Sequence, residues 1–304
     1  MPLVDFFRPK WQHSDKKIRL LAVKELSDQK ILVRVAKTDP DWRIRLAAAD
    51  LIDDQKAIAE LCKQAEDWRI RFTCVKKLED NELLAEILEN DPDKDVREAV
   101  VAKIENQELL ATTAKDDANE HVRKAAVVHL EDEKLLCDVA KTASDWLIRE
   151  SAVKKLEDQD VLAEIAKSDT SLSVREAAVG MLEDQKLLAE IAKSDVDEDV
   201  REAAVERLQD QSILAEVARK DSKVWVRKAA VDKLNNRLVL TEIAKVDLSQ
   251  HVRKAALKRA RRLAENGGQY LSSIPADKHS LTPSMPAGPT RSVTPSGDDP
   301  NKSR

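Results

Sequence analysis

The chain has 304 residues, of which 36% are charged and 3% are aromatic, and its formal net charge is -5. So small a net charge gives no overall field that would favour nucleic acid or an anionic membrane. Cys62, Cys74 and Cys137 are an odd number at three different places in the pattern, which argues against a disulfide framework or a metal site. We expect a soluble, cytoplasmic protein, because no signal peptide and no apolar run of membrane-spanning length is present. We also expect a monomer without a cofactor.

Residues 1–13 precede the regular pattern and are predicted to form an N-terminal cap. A repeat array exposes its core at the first repeat unless another segment covers it, and end segments are atypical for this reason. The alternative is a peptide that binds a partner or touches a membrane. The apolar residues of this segment are Leu3, Val4, Phe6, Phe7 and Trp11.

A phrase that reads Val-Arg-Glu-Ala-Ala-Val at 200–205 recurs ten times with a spacing of 26 residues. A fixed period of this length indicates a tandem-repeat architecture, in which each module contacts only its neighbours. We therefore predict one elongated domain over residues 14–266. The arginines of the ten phrases are Arg19, Arg45, Arg71, Arg97, Arg123, Arg149, Arg175, Arg201, Arg227 and Arg253.

Each repeat is predicted to contain two short helices. In one repeat, Val200, Ala204 and Leu208 lie on a single stripe, as expected of a helix with one buried face. From Asp28 to Asn236, Asp or Asn stands nine residues after the arginine, as Asp210 does here, and its side chain can cap the helix that follows. Helices of about three turns are too short to be stable alone. The predicted fold is all-α, an α-solenoid of about ten tandem two-helix repeats.

The module resembles a shortened HEAT repeat of the HEAT and armadillo superfamily. The resemblance implies that an aspartate before the Val-Arg pair forms a ladder with the arginines between successive repeats. A period of 26 is shorter than the roughly 40 residues usual for HEAT repeats and is similar to leucine-rich repeat variants and phycobilin-lyase modules. The aspartates six residues before the arginines are Asp39, Asp91, Asp117, Asp169, Asp195, Asp221 and Asp247.

Three repeats depart from this pattern. His13, Ala65 and Ala143 replace the aspartate. The arginine row could instead bind anions, but an arginine beside core residues needs a paired carboxylate, which we expect in the turn before it. The sequence therefore predicts a structural ladder with its weakest rungs at Arg19, Arg71 and Arg149.

The outer face of the second helix carries an acidic row and a basic row three residues apart, as at Glu190 and Lys193. Such i, i+3 pairs stabilise a solvated helix slightly, and the acidic row opposes binding to a duplex. The one basic cluster, in 253–262, is interpreted as a polar end cap. No histidine has the partners that catalysis requires, and no Gly-rich phosphate loop is present, so we expect no enzyme activity.

The composition changes abruptly after Asn266. Gly267 and Gly268 are predicted to end the last helix, and the remainder is rich in Ser, Thr and Pro with little to bury. Residues 267–304 are therefore predicted to form a disordered tail.

An apolar ridge is predicted near the N-terminal end. The residue after the arginine is charged in most later repeats but is Leu or Phe in the first three, and tryptophans stand close by. Clustered apolar side chains on a highly charged protein indicate an interaction surface, although the lead-in could cover the ridge and the tryptophans could fill grooves between repeats. The candidate partner-binding residues are Leu20, Leu46, Phe72, Trp42, Trp68, Trp146 and Trp225.

The sequence as a whole favours a non-catalytic scaffold that binds a protein of unknown identity. This interpretation depends on analogy at the level of the fold. The alternatives are nucleic-acid binding and, by resemblance to the phycobilin-lyase type of HEAT protein, ligand handling.

Overall fold

A computed structural model describes residues 7–272 of the chain, with side chains through residue 265. Within those residues every regular element is a helix. The first helices of the repeats are α1 (Lys16–Lys24), α3 (Trp42–Asp50), α5 (Trp68–Lys77), α7 (Lys94–Val101), α9 (Glu120–His129), α11 (Trp146–Val153), α13 (Leu172–Met181), α15 (Glu198–Arg207), α17 (Val224–Lys233) and α19 (Gln250–Ser272). The second helices are α2 (Gln29–Thr38), α4 (Gln55–Gln64), α6 (Asn81–Asn90), α8 (Gln107–Asp116), α10 (Glu133–Thr142), α12 (Gln159–Ser168), α14 (Gln185–Ser194), α16 (Gln211–Lys220) and α18 (Arg237–Val246).

The helices form two layers, as the predicted α-solenoid requires. Each first helix packs against the first helices of the neighbouring repeats, and each second helix packs on the first helix of the next repeat. The predicted stripe is confirmed, because Val200, Ala204 and Leu208 are fully buried. The core is therefore continuous along the array and belongs to pairs of repeats rather than to single ones.

The predicted helix caps are confirmed. Asp210 accepts hydrogen bonds from the backbone of Ser212 and Ile213 at the start of α16, and Asp or Asn does the same for every other second helix. Most first helices also have an Asp or Asn cap, although Ser171 and Lys223 make no such bond. These short acceptors bind amides that a helix start leaves unpaired, so the repeat boundaries are fixed locally.

The two ends of the array differ from the expectation in one respect. A short 3-10 helix, Lys10–Gln12, packs on α1, and Trp11 lies partly buried against the core, while Leu3, Val4 and Phe6 lie outside the described residues. The last helix, α19, continues through Gly267 and Gly268 to Ser272, so its predicted end is wrong. A glycine inside a helix costs only about 1 kcal/mol and need not end it. The remainder of the predicted tail, 273–304, lies outside the described residues.

The arginines form the predicted ladder, but in the opposite direction along the chain. Nε and Nη2 of Arg201 donate to Asp221, 20 residues later in the next repeat, at 2.7 and 3.1 Å. Nη1 donates to the carbonyl of Asp195 in the preceding loop at 2.9 Å. The expected carboxylate in the preceding turn is thus a backbone carbonyl, and the hydrogen bond to Asp221 raises the pKa of Arg201.

Because the ladder runs in the opposite direction, its weak rungs are not the three that the sequence predicts. Arg19, Arg71 and Arg149, predicted to be weak, make full bidentate pairs with Asp39, Asp91 and Asp169. The incomplete rungs begin instead at Arg45 and Arg123, because Ala65 and Ala143 stand 20 residues after them. Each of these two arginines reaches the cap of the next first helix, Asp67 or Asp145, with one nitrogen. Nε of Arg123 is buried without a hydrogen-bond partner among the described residues.

Two further sets of polar contacts join successive repeats. The charged rows on the second helices pair between repeats, as Lys193 does with Glu216 at 2.5 Å, rather than within one helix as expected. Gln185 likewise donates to the carbonyl of Arg207 and accepts from the amide of Gln209 in the following loop. These contacts fix the spacing of the repeats, although the exposed ion pairs add little stability.

None of the helices between residues 7 and 272 combines the length and the apolar composition that crossing a membrane would require.

Candidate functional site

The three apolar residues of the predicted ridge lie on successive first helices. Leu20 is on α1, Leu46 on α3 and Phe72 on α5, and all three are partly buried. Leu20 and Phe72 pack against the core, so part of each side chain contributes to folding. Leu46 and Phe72, but not Leu20, line a common groove.

The groove lies between α5 and α7, with Leu46 at one side, and has a volume of about 850 Å³. Its two walls differ in chemistry. The α5 wall consists of Trp68, Arg69, Phe72, Thr73 and Lys76. The α7 wall consists of Asp95, Glu98, Ala99, Ala102 and Lys103. A concave and largely apolar surface with a few charged side chains is the usual form of a binding site.

The aromatic side chains of the α5 wall hold one another in place. The rings of Trp68 and Phe72 meet edge to face, with centroids 6.2 Å apart and planes at 74°. Nζ of Lys76 lies 4.0 Å from the centre of the Phe72 ring, and the Arg69 guanidinium lies 5.4 Å from that of Trp68. Both aromatic contacts and cation–π contacts favour a fixed arrangement, so this wall is formed before any partner arrives.

Trp42 lies beside the groove rather than in it. Its side chain is 38% exposed, and two guanidinium groups lie over its ring, that of Arg43 at 5.1 Å and that of Arg69 at 4.5 Å from the ring centre. Arg69 thus contacts both predicted tryptophans, Trp42 and Trp68, and links α3 to α5. The structure brings together Leu46, Phe72, Trp42 and Trp68 at one place.

Trp146 and Trp225 lie far along the array from this groove. Trp146, on α11, is 43% exposed, and Trp225, on α17, is 57% exposed. Trp225 stands two residues before Arg227, whereas Trp146 stands three before Arg149, so the two do not occupy the same position in the repeat. Trp225 lies beside His251, with ring centres 6.3 Å apart. The predicted series of tryptophans is therefore interrupted.

The sequence analysis did not identify the α7 wall. Asp95, Glu98, Ala99 and Ala102 belong to the fourth repeat, beyond the last apolar residue of the ridge. One signal was present, because the position of Ala102, five residues after the arginine, is charged in seven of the ten repeats and small in two. The residues at that position are Lys24, Asp50, Lys76, Ala102, Val128, Lys154, Gly180, Glu206, Asp232 and Lys258.

Lys103 closes one end of the groove. Its Nζ donates to the carbonyls of Leu78 at 2.6 Å and Lys76 at 3.0 Å, at the end of α5. These carbonyls have no partner within their own helix, and a cation at a helix C-terminus is favourable. Lys103 therefore fixes the distance between the two walls and is not free to bind a partner.

A contrasting acidic stripe occupies the same layer in later repeats. Glu150, Glu176 and Glu202 stand directly after their arginines, the position that Phe72 holds in the third repeat. Burial and nearby carboxylates, Asp199 among them, raise the pKa of Glu176 and of Glu202. The apolar groove is thus a local feature of repeats two to four and not a property of every repeat.

Cys62 and Cys74 occupy different repeat positions, yet the fold brings them together. Both are buried free thiols on the neighbouring helices α4 and α5. The hydrogen bond to Cys74 and burial raise the pKa of Cys62. Between residues 7 and 265, no group of three or more His, Cys, Asp or Glu side chains is arranged to hold a metal ion.

Comparison with known proteins supports the fold. No protein-family model and no curated protein matches the sequence. The chain is similar to the solved structure of a leucine-rich repeat variant with a novel repetitive structural motif, at 23% identity and a TM-score of 0.55, over 78% of this chain and 88% of the other. It also matches the X-ray structure of YibA from E. coli at 18% identity and a TM-score of 0.31, over 84% of this chain and 100% of the other. The first of these likenesses shows the repetitive helical fold, and neither of them shows an activity.

Proposed function

We propose that this helical-repeat protein is a non-catalytic, cytoplasmic scaffold of the HEAT type, and that it binds a protein partner through the groove between α5 and α7. The observation that carries the proposal is the groove itself, where Leu46, Trp68 and Phe72 meet on an otherwise charged surface. Partly exposed aromatic side chains in a preformed concave site are the usual anchors of protein interfaces.

The test is to charge the groove and ask whether the native partner is lost. Leu46→Glu with Phe72→Glu places in the groove the residue type that later repeats carry at this position. The matched control is Leu172→Glu with Met181→Glu, which changes two exposed apolar side chains on α13, also in the first-helix layer. Tagged proteins would be used to recover partners from native cells, identified by mass spectrometry, after circular dichroism has shown that both variants are folded.

We expect the control to retain a partner that the groove variant loses. A partner retained equally by both variants would rule out the groove as its site, and unfolding of the N-terminal repeats in the groove variant would show that the ridge belongs to the core.

Nucleic-acid binding is less favoured, because Asp95 and Glu98 face the groove and would repel phosphates. That alternative predicts a shift of labelled DNA that weakens steeply with salt. Ligand handling predicts that a tetrapyrrole binds with a change in its visible spectrum.

A further inference from the structure

The shape and charge of the groove identify the kind of protein segment that fits it. Building on the proposed function, we infer that the partner presents a short amphipathic helix with an apolar stripe, an acidic edge that faces α5 and a basic edge that faces α7. The partner is thereby defined by three properties of its sequence, each of which can be varied separately in a synthetic peptide.

The length of the groove corresponds to about two helical turns. On α5 its lining runs from Trp68 to Lys76, and on the opposite wall it runs from Asp95 on α7 to Lys103 in the turn after that helix. Eight residues of helix extend about 12 Å, which matches the span of apolar side chains at positions i, i+3, i+4 and i+7 of a bound helix. Its volume of about 850 Å³ lies in the upper part of the range for ligand pockets, so it holds several side chains.

The groove suits a helix better than an extended strand. Both walls are built on helices whose backbone groups are already bonded internally. Ala99 and Ala102 of the α7 wall present only methyl groups to the groove. An extended peptide would lose water from its own amides and carbonyls without gaining partners there, whereas a helix satisfies its backbone internally. The two small alanines also leave room for the side chains of an approaching helix.

Apart from Lys103, whose Nζ is held by backbone carbonyls at the end of α5, the charges on the two walls have opposite signs. Arg69 and Lys76 lie on the α5 wall, and Asp95 and Glu98 lie on the α7 wall. Arg69 already pairs with Asp67, and Asp95 already pairs with Lys94. Neither Lys76, which lies over the Phe72 ring, nor Glu98 forms an ion pair with another described residue, so these two charges can pair with a partner. Charge complementarity across an interface selects partners and penalises like charges strongly, so a helix with one acidic and one basic edge is favoured over one with two like edges.

The experiment measures binding of synthetic helical peptides to the full-length protein by fluorescence anisotropy. Three peptides share one apolar stripe of leucines, and their two edges are acidic and basic, both acidic, or both basic. We expect the mixed peptide to bind at least tenfold more tightly than either of the others. A proline in the middle of its stripe, which breaks a helix, should abolish binding.

A protein variant provides the reciprocal test. Asp95→Lys with Glu98→Lys makes both walls basic, and the preference should then move to the peptide with two acidic edges by at least tenfold. Thermal melting would show that the variant keeps its fold. The expected result does not depend on the direction of the peptide in the groove. Reversing a helix only exchanges the walls that its two edges face, and both edges of this peptide are acidic.

The outcomes separate this inference from the proposed function. Equal binding of the three peptides, tolerance of the proline, or no binding of any peptide would overturn the amphipathic helix. The scaffold proposal would still stand if a native partner were lost from the Leu46→Glu, Phe72→Glu variant. If the native partner is indifferent to those two changes, the proposed function fails whatever the peptides do.

Discussion

Repeats two to four and repeats six to eight share one backbone design and differ in what they expose. The residue after the arginine is Leu46 in repeat two and Phe72 in repeat three, although repeat four already has Glu98 there, and it is Glu176 or Glu202 in the second region. The rung before Phe72 is the same as the rung before Glu202, since Arg71 binds Asp91 just as Arg201 binds Asp221, through Nε and Nη2. The ladder therefore sets the spacing of the helices. The residue after each arginine determines whether that part of the surface is apolar or acidic.

The largest effect should come from removing the same rung in each region. We expect Arg71→Ala and Arg201→Ala each to lower the free energy of unfolding by about 1–3 kcal/mol, because Asp91 or Asp221 is left largely buried without its partner. Urea unfolding followed by circular dichroism measures this. Arg253→Ala is the control, since position 273 is a serine and offers no carboxylate.

If the ladder has the same structural role in both regions, Arg71→Ala and Arg201→Ala should lower the free energy of unfolding equally, and Arg253→Ala should lower it less. If Arg201→Ala left the melting temperature unchanged and removed a bound ligand instead, the arginine row would be an anion-binding site. That result would also remove the structural basis for treating the two regions as variants of one design.

The residue after the rung should respond with opposite signs in the two regions. Phe72→Ala is expected to destabilise by about 1–2 kcal/mol, because it loses apolar burial and the edge-to-face contact with Trp68. Glu202→Ala should stabilise slightly, because it removes a carboxylate that burial and its neighbours disfavour. Thermal melts of both variants decide this, and a cost for both changes would mean that the position is structural in both regions.

A smaller effect is expected from a pair of exchanges at one repeat position. Gly180→Ala should stabilise by about 0.5–1 kcal/mol, since an added Cβ meets no atom within 4 Å and Gly weakens a helix interior. Ala102→Gly should change the stability less, because Ala102 is the C-cap residue of α7 and not an interior residue. Urea midpoints with unchanged slopes would confirm both, and a loss of stability in Gly180→Ala would reveal crowding near α13 that the structure does not show.

The smallest effect is a dependence on pH confined to the acidic stripe. The pKa of Glu176 and of Glu202 is raised above the ordinary value of 4.5, so the folded state binds these protons more tightly than the unfolded state does. The ionised carboxylates therefore cost stability above the raised pKa, and that cost fades as the pH falls toward 4.5. Glu176→Gln with Glu202→Gln should melt higher than the native protein at pH 7, and this advantage should shrink as the pH falls through the raised pKa and vanish below 4.5. An advantage of the same size well below pH 4.5 would have another cause.

The sequence alone predicts the fold well because its signals are local or periodic. The stripe of Val200, Ala204 and Leu208 and the cap at Asp210 each specify a helix within one repeat. The direction of the ladder could not be predicted, because positions six before and 20 after an arginine are the same position when the period is 26. Only the structure shows that Arg201 meets Asp221 and not the side chain of Asp195.

The candidate site was predicted in part for the same reason. Leu46 and Phe72 break the repeat pattern and are visible as exceptions in the sequence. Ala102 is harder to identify from the sequence, because alanine is common in helices. Its role is evident only from the aromatic wall that lies opposite it. A groove depends on what lies across from each residue, and that neighbour is supplied by tertiary packing.

The ladder has a consequence for how such an array changes in evolution. Each full rung joins an arginine to an aspartate of the next repeat at a fixed spacing, so losing one whole unit can leave a full rung across the junction. Removing residues 176–201 would place Arg175 opposite Asp221 instead of Asp195, by the spacing of 20 residues that all full rungs share. Unequal crossing-over between repeats can therefore change the number of repeats while rungs of the same spacing form across the junction.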